Sequence, residues 1–444
     1  MSISLTYLMT HDGFECSCGK RHYSPLKDCF IGEGVISKLP EIINSYGCTY
    51  PYLLCDSLTY AAAGEKAVKL LENNRIKYAI HEITRLHPAS DEKIVGEALM
   101  FCPNECDIII AVGGGVINDT CKIIAAAKKV PDIFVATAPS MDGFASETSS
   151  MERCGLKWSI NSKCPECVIG DSEILSRAPT RMILSGIGDM VAKYISLVEW
   201  KISHIITGEY YCQTIADIVA SSLDICMKSA KAAVNSDKAA IERLTEGLVM
   251  SGICMNYAGI SRPASGVEHS ISHIIDMRAL EFGTPSDFHG IQCGVGTLIA
   301  LQAYERLREV TVDHDRALAY VNNFSLDDWF AHLREKIGHG AEAMIAGELK
   351  EHKYAKENHA ERLALTINNF YKIKQIATTL PSYEHMREFF IELGHPVSGT
   401  QFGLSADDVR EAFIMAKDLR FKYFIGHLLW DIGLLEEFAD NIKY

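Results

Sequence analysis

Residues 106–129 read CDIIIAVGGGVINDTCKIIAAAKK. The first half is a continuous, largely β-branched run that stops at Gly113, Gly114 and Gly115, and the second half has the apolar periodicity of a helix. A strand covered on both faces is written this way. Strand, glycine turn and helix together make one repeat of a parallel sheet. The alternation continues outward on both sides. YPYLLCD (50–56) reads as a strand, Ser57 to about Asn74 as a helix, KYAIHEI (77–83) as a strand and 91–102 as a helix. DIFVATAPS (132–140) and VIGD (168–171) read as further strands. The pattern predicts a Rossmann-like α/β domain with a parallel sheet over 1–172. From there strand signals fade, and 186–202, 208–233, 237–260, 296–308 and 405–437 carry helical periodicity, so an all-α domain is expected over 173–444. A length of 444 residues also favours two domains over one.

Composition narrows the function. A formal net charge of −14 disfavours nucleic acid or an anionic membrane surface as partner, while leaving room for a local cationic pocket. No apolar run reaches the ~18 residues of a membrane span. Fifteen cysteines is an odd count in a long chain, and the amino terminus lacks a basic segment followed by an apolar one; a reduced, cytoplasmic protein is expected.

The glycine turn is not the G-x-G-x-x-G fingerprint, yet it has the physics of a phosphate loop. Glycines let the backbone approach a pyrophosphate, and the helix start offers unpaired N–H groups. Asp119 would repel a phosphate and suits a hydroxyl or amide. Asp56, at the end of its strand, suits ribose hydroxyls, which would favour NAD over NADP. It suits equally well an N-cap for the helix that follows.

A second constellation lies further on. SRPASGVEHSISH (261–273) has the capping-box spacing Ser265-x-x-Glu268, which starts a helix near Gly266 with His269 and His273 on one face. Asp189 in SGIGDMVAKY and His289 in DFHGIQCGVG add a carboxylate and a third imidazole. Asp189, His269 and His289 make a plausible site for a borderline divalent metal with an open position. Singly, each has a plain structural reading.

Five stretches carry a family resemblance: GGGVINDTCK (113–122), TAPSMDGFAS (137–146), GIGDMVAKY (186–194), SRPASGVEHSISH (261–273) and HGIQCGVG (289–296). With them the chain resembles the iron-type alcohol dehydrogenase / dehydroquinate synthase superfamily, and within it the glycerol-1-phosphate dehydrogenases, particularly the bacterial form. DLRFKYFIGHLLWDIGLL near the carboxyl end also resembles that form. The resemblance implies a site in the cleft between the two domains and homo-oligomers. It implies hydride transfer between NAD(P)H and dihydroxyacetone phosphate, a small phosphorylated substrate. Asp189, His269 and His289 match the metal ligands, and His273 and Asp142 match substrate contacts with a catalytic role. Asp56, the segment Gly114, Gly115, Val116, Ile117, Asn118 and Asp119, and Thr137, Ser140 and Ser146 match contacts to NAD or NADP. Zinc or nickel is implied as the metal, with iron elsewhere in the superfamily. Arg262 and Lys193, inside the ligand-bearing motifs, are the candidates for the substrate phosphate, with ordinary ion pairs as the alternative; Lys122 could hold a phosphate or a carbonyl. Val267 and the pair Glu199-Trp200 depart from the expected pattern. Glycerol dehydrogenase and a dehydroquinate-synthase-like enzyme are the competing readings. CSCGKRH (16–22) and CPEC (164–167) each hold some of a four-ligand set, but they lie far apart in the chain, unlike the compact pairs of many zinc modules. The CPEC cysteines are read as small buried apolar residues.

Overall fold

Six strands build one sheet: β1 (Asp28–Gly32), β2 (Pro51–Asp56), β3 (Ala79–Ile83), β4 (Ile108–Gly113), β5 (Asp132–Ala136) and β6 (Cys167–Asp171). Their order is β1-β6-β5-β4-β2-β3, and every pairing is parallel. A computed structural model describes residues 5–9, 13–85, 88–153 and 156–444. The chain divides into two compact units, residues 1–190 with 217–260 and residues 191–216 with 261–444.

In the first unit, Leu53, Cys55, Ile108, Ile110, Val112, Ile133, Val135 and Ile169 point into one buried layer with the flanking helices. The continuous apolar runs follow from burial on both faces. The strand at 28–32 escaped the sequence reading because DCFIG is short and only half-buried. So did the antiparallel hairpin Thr148–Arg153/Leu156–Asn161. The strand expected over 132–140 stops at Ala136. From β2 the chain moves outward to β3, and from β4 it moves the other way to β5. The gap between the carboxyl ends of β2 and β4 is therefore the switch point where doubly wound sheets bind ligands. Leu54 pairs with Ala111, a register that puts Asp56 level with Gly113.

The second unit is helical. Helix α1 (Val267–Phe282) and helix α2 (His289–Leu307) meet backbone to backbone: a Cβ on Gly296 would lie 2.9 Å from the Cα of Glu268. Residues 310–390 form five helices, His314–Asn323, Leu326–Ile337, Ala341–Glu351, Lys356–Ala377 and Tyr383–Leu393. Several of them enclose a buried ion pair. Lys417 Nζ lies 2.5 Å from Asp418 Oδ2, which also accepts from Trp329 Nε1 at 2.7 Å, while Tyr354 Oη donates to Asp418 Oδ1. The long helix expected over 405–437 is broken into Ala406–Met415, Ile425–Asp431 and Leu435–Ala439, with a short 3-10 turn at Ala416–Asp418. The Ile425 amide is bound by Glu199 Oε1 at 2.9 Å, a tertiary contact that outweighs helical propensity. Among the described residues no helix is long and apolar enough to cross a membrane.

Candidate active site

The three glycines of the turn do different jobs. A Cβ on Gly113 would strike Ile117 at 2.6 Å, and one on Gly115 would strike Met141 at 2.9 Å. A Cβ on Gly114 would meet only Met182, at 3.7 Å, so the space over Gly114 is open. The helix Gly115–Lys128 begins there with no side-chain cap and no acid in its first turn. Its first amide groups and its dipole thus face the switch point uncompensated. Val116 is partly exposed beside it, Ile117 is buried, and Asn118 Nδ2 donates to the Phe144 carbonyl. Asp56 realises the capping alternative, since its Oδ1 accepts from the Thr59 amide at 2.8 Å. It stays partly exposed at the carboxyl end of β2, an interior strand.

Asp119 and Lys122 hold the loop that follows. Lys122 Nζ lies 3.0 Å from Asp119 Oδ1 and donates to the carbonyls of Thr148 and Gly143. Asp119 Oδ2 accepts from the Ser150 amide at 3.1 Å. Of the roles open to Lys122, the carbonyl one is realised. Ser146 Oγ donates within the same loop to Gly143 or Thr148, Thr137 is tied to Gly113 through its amide, and Ser140 accepts from Ser185 through its carbonyl. Asp142 and Asp189 come together here. The Asp142 amide donates to Asp189 Oδ2 at 2.9 Å, and Asp142 Oδ2 accepts from Ser251 Oγ at 2.7 Å. Gly186 makes this possible: a Cβ there would sit 1.9 Å from the Pro139 carbonyl oxygen. Helix Thr180–Val191, which carries Asp189, therefore lies directly on the PSMDG segment.

In the helical unit, His269, His273 and His289 come together. The His289 ring centroid lies 5.0 Å from that of His269 and 5.5 Å from that of His273. The start of α1 differs from the expected capping box. Gly266 is the N-cap without side-chain help from Ser265. Glu268 accepts from the Gly266 amide at 2.6 Å, and Glu199 Oε2 accepts from the Val267 amide at 2.7 Å. Two carboxylates thus replace the serine, as the dipole at a helix start favours. Burial and then repulsion from Glu268 push the Glu199 carboxyl up to about 8. Glu268 Oε1 also accepts from His269 Nδ1 at 2.8 Å, which orients that ring and leaves Nε2 as its ligand atom. Ser272 Oγ lies 3.1 Å from His289 Nδ1.

Cys293, which the sequence reading passed over, stands one turn beyond His289 with its Sγ 3.6 Å from His289 Nε2. One ring nitrogen each of His269 and His289 and this sulfur all lie within 4.8 Å of one another. Burial raises the Cys293 thiol, but the two imidazoles outweigh it and hold the group below its ordinary value.

The cations are arranged differently from expectation. Arg262 is buried and committed: its Nε donates to Glu209 at 2.9 Å, and Nη2 donates to the Tyr423 carbonyl at 2.9 Å. That is the ion-pair alternative. Lys193 is buried at the first turn of helix Lys193–Thr207. Two further cations were missed, Arg420 and Lys422 in DLRFKYF. Arg420 Nη2 lies 3.3 Å from His273 Nε2, and Lys422 Nζ donates to Ser261 Oγ and the Ser265 carbonyl. Burial, and then the charges of Arg420 and Arg262, drive the Lys422 ammonium well below the usual lysine value. A guanidinium only donates, so His273 Nε2 accepts and the neutral ring carries its proton on Nδ1. The signal was the basic alternation in that segment, hidden inside what read as one helix.

Residues 30–179 match the model of the iron-containing alcohol dehydrogenases. A glycerol-1-phosphate dehydrogenase [NAD(P)+] of Halalkalibacterium halodurans is 33% identical over 295 residues, which span 66% of this chain and 74% of that protein. The chain belongs to the iron-containing alcohol dehydrogenase family. A second glycerol-1-phosphate dehydrogenase [NAD(P)+], from Geobacillus stearothermophilus, is 28% identical and aligns over 94% of this chain and 96% of its own length. Among solved structures, a probable glycerol dehydrogenase from Sinorhizobium meliloti superposes with a TM-score of 0.61 at 16% identity. It covers 94% of this chain and 98% of the other, and at that identity it speaks for the fold. As a member of this family the chain is an oxidoreductase acting on CH–OH groups.

Proposed function

We propose that this chain is an NAD(P)-dependent sn-glycerol-1-phosphate dehydrogenase, moving hydride reversibly between NAD(P)H and dihydroxyacetone phosphate. The reading rests on the helical unit: an imidazole pair, buried at His269 and half-buried at His289, one ring oriented through Nδ1 by a carboxylate, beside two cations, Arg420 at 3.3 Å from His273 Nε2 and Lys422 donating to a serine hydroxyl. Ligand chemistry calls for the first half, and a substrate phosphate for the second. The family motifs assign Asp189, His269 and His289 as metal ligands. The donor set fits, since His269 presents Nε2 and His289 does the same when its Nδ1 proton goes to Ser272. Bound there, the metal supplies Lewis-acid polarisation of the ketone. Zinc or nickel suits nitrogen donors, and the Cys293 sulfur tilts the balance toward zinc.

Asp142 and His273 are the substrate contacts and the proton-handling groups. Asp142 is aligned by Ser251, and His273 is oriented by Arg420 Nη2 at its Nε2. Arg420 and Lys422, joined by Lys193, are the phosphate anchors, and Arg262 acts as a positioning residue through Glu209 and Tyr423. The uncapped helix start at Gly114 to Asn118 receives the dinucleotide pyrophosphate. Asp56 takes the ribose, and Asp119, Thr137, Ser140 and Ser146 shape the loop around it. A cytoplasmic homo-oligomer completes the reading.

The test is NAD(P)H oxidation by chelator-treated protein, with dihydroxyacetone phosphate or dihydroxyacetone, after return of zinc, nickel or iron. Metal-dependent turnover of the phosphate ester is expected. Turnover of the free ketone alone would make the protein a glycerol dehydrogenase.

A further inference from the structure

The dehydrogenase reading leaves CSCGKRH unused. Phe14–Glu15 and Arg21–His22 pair as a short antiparallel hairpin, closed by Cys16 N–H donating to the Lys20 carbonyl and Gly19 N–H to the Cys16 carbonyl. The turn brings three soft or borderline donors together. The sulfurs of Cys16 and Cys18 and a ring nitrogen of His22 all lie within 4.8 Å of one another, and Cys18 Sγ is 3.3 Å from His22 Nε2. Around a tetrahedral zinc, with Zn–S about 2.3 Å and Zn–N about 2.0 Å, neighbouring ligand atoms are roughly 3.5–4 Å apart.

His22 carries a second, independent sign. The ring is fully buried, stacks on Tyr257 at 5.7 Å, and has Nδ1 2.9 Å from the Tyr257 carbonyl oxygen. A carbonyl only accepts, so Nδ1 carries the proton and Nε2 presents its lone pair to the cysteines. A backbone carbonyl fixing one imidazole nitrogen so that the other can ligate is the usual outer-shell arrangement of a metal-bound histidine. A thiol–imidazole hydrogen bond would account for Cys18 but not for the second sulfur in the cluster. A hairpin of two-residue strands also needs more than its own ladder to persist. Phe14 and Tyr257 pack edge to face, and Tyr257 Oη donates to the Leu8 carbonyl, so the element is tied to the end of helix Lys238–Ala258.

We propose that this hairpin is a structural zinc site, distinct from the dehydrogenase metal, with Cys16, Cys18 and His22 as three ligands. On loading, zinc(II) forms two Zn–S bonds and one Zn–N bond, the two thiol protons pass to solvent, and nothing is oxidised or reduced. The proposal stands whether or not the substrate is a phosphate ester.

Zinc per chain is measured on the full-length protein purified with zinc as the only added metal, for wild type, C16S, C18S and H22Q. Each hairpin variant is expected to hold one zinc fewer than wild type, and to keep the metal-dependent turnover of wild type once metal is restored to the other site. A folded C18S protein with unchanged zinc content overturns the proposal. Because a variant can fail to fold, zinc-edge X-ray absorption on H289A protein, which retains the native hairpin, provides the second reading. Two sulfur scatterers at about 2.3 Å support the site. A nitrogen- and oxygen-only shell, or a Cys16–Cys18 disulfide in the mass spectrum of freshly purified protein, overturns it.

Discussion

Lys122 beside the glycine turn and Lys422 in the helical unit are both ammonium groups withdrawn from water, the first fully buried and the second half-buried, and their surroundings differ. Lys122 faces the Asp119 carboxylate and the carbonyls of Thr148 and Gly143. Lys422 donates to a serine hydroxyl and a single carbonyl, and the positive charges of Arg420 and Arg262 outweigh the negative ones of the more weakly acting Glu209 and Glu268. The first is compensated from within, and its work is to hold a loop. The second is under-compensated, and an anion from outside would relieve it. Burial alone therefore does not mark a ligand site. Burial without matching charge does.

The largest effect is expected at the imidazoles. His269→Ala should remove the metal and lower kcat/KM on the order of a thousandfold, the scale of losing Lewis-acid stabilisation. Retained metal and near-normal rates would take His269 out of the ligand set. Lys122→Met should act on stability and not on metal content: it strands the buried Asp119 carboxylate, at a cost of about 3–5 kcal/mol in a urea titration. A loss under 1 kcal/mol would mean that the loop holds without its clamp.

Arg420→Ala should raise KM for dihydroxyacetone phosphate by about 10- to 100-fold, the value of one charge-assisted hydrogen bond, while leaving KM for the free ketone nearly unaffected; any loss of kcat through its contact with His273 should be shared by both substrates. Equal changes for the two would remove Arg420 from the phosphate pocket. Gly186→Ala should cost about 1–3 kcal/mol, because its methyl must displace the Pro139 carbonyl.

The smallest effect is a pH slope. Burial raises the Asp132 carboxyl, Lys163 pulls it back and Glu166 pushes again, leaving it at about 7. Its protonated form is the one the fold prefers, so this stability is fully present below about 4 and fades as pH rises through about 7. Between pH 5.5 and 8.5 the loss should be about 1–2 kcal/mol, and Asp132→Asn should flatten it. Identical slopes in the two proteins would exclude Asp132 as the source.

The sheet was legible in the sequence wherever strands are covered on both faces, because continuous apolar runs such as DIIIAVG have no other economical use. It was not legible at β1, an edge strand of mixed character, or at the hairpin over 148–161. The histidine cluster was legible through spacing along helices. What supports it was not: Glu199, Glu268 and Ser272 act on residues through tertiary contacts that carry no local period. Arg420 and Lys422 were hidden for a related reason. Their segment has helical propensity, yet the chain leaves the helix between the 3-10 turn Ala416–Asp418 and the helix that starts at Ile425, whose amide Glu199 holds.

Gly296 lies against the backbone of Glu268, one residue before His269 on α1, and the helix it belongs to starts at His289. The gap between those imidazoles is thus set by two main chains in contact, with little left to side-chain adjustment. Such a pair behaves as a gauge of fixed opening. On the proposed ligand pair, an ion wanting longer bonds would have to push the helices apart, so such a site would rank metals by the stiffness of its frame as well as by the softness of its donors. A methyl group at position 296 would reset that ranking without touching a single ligand.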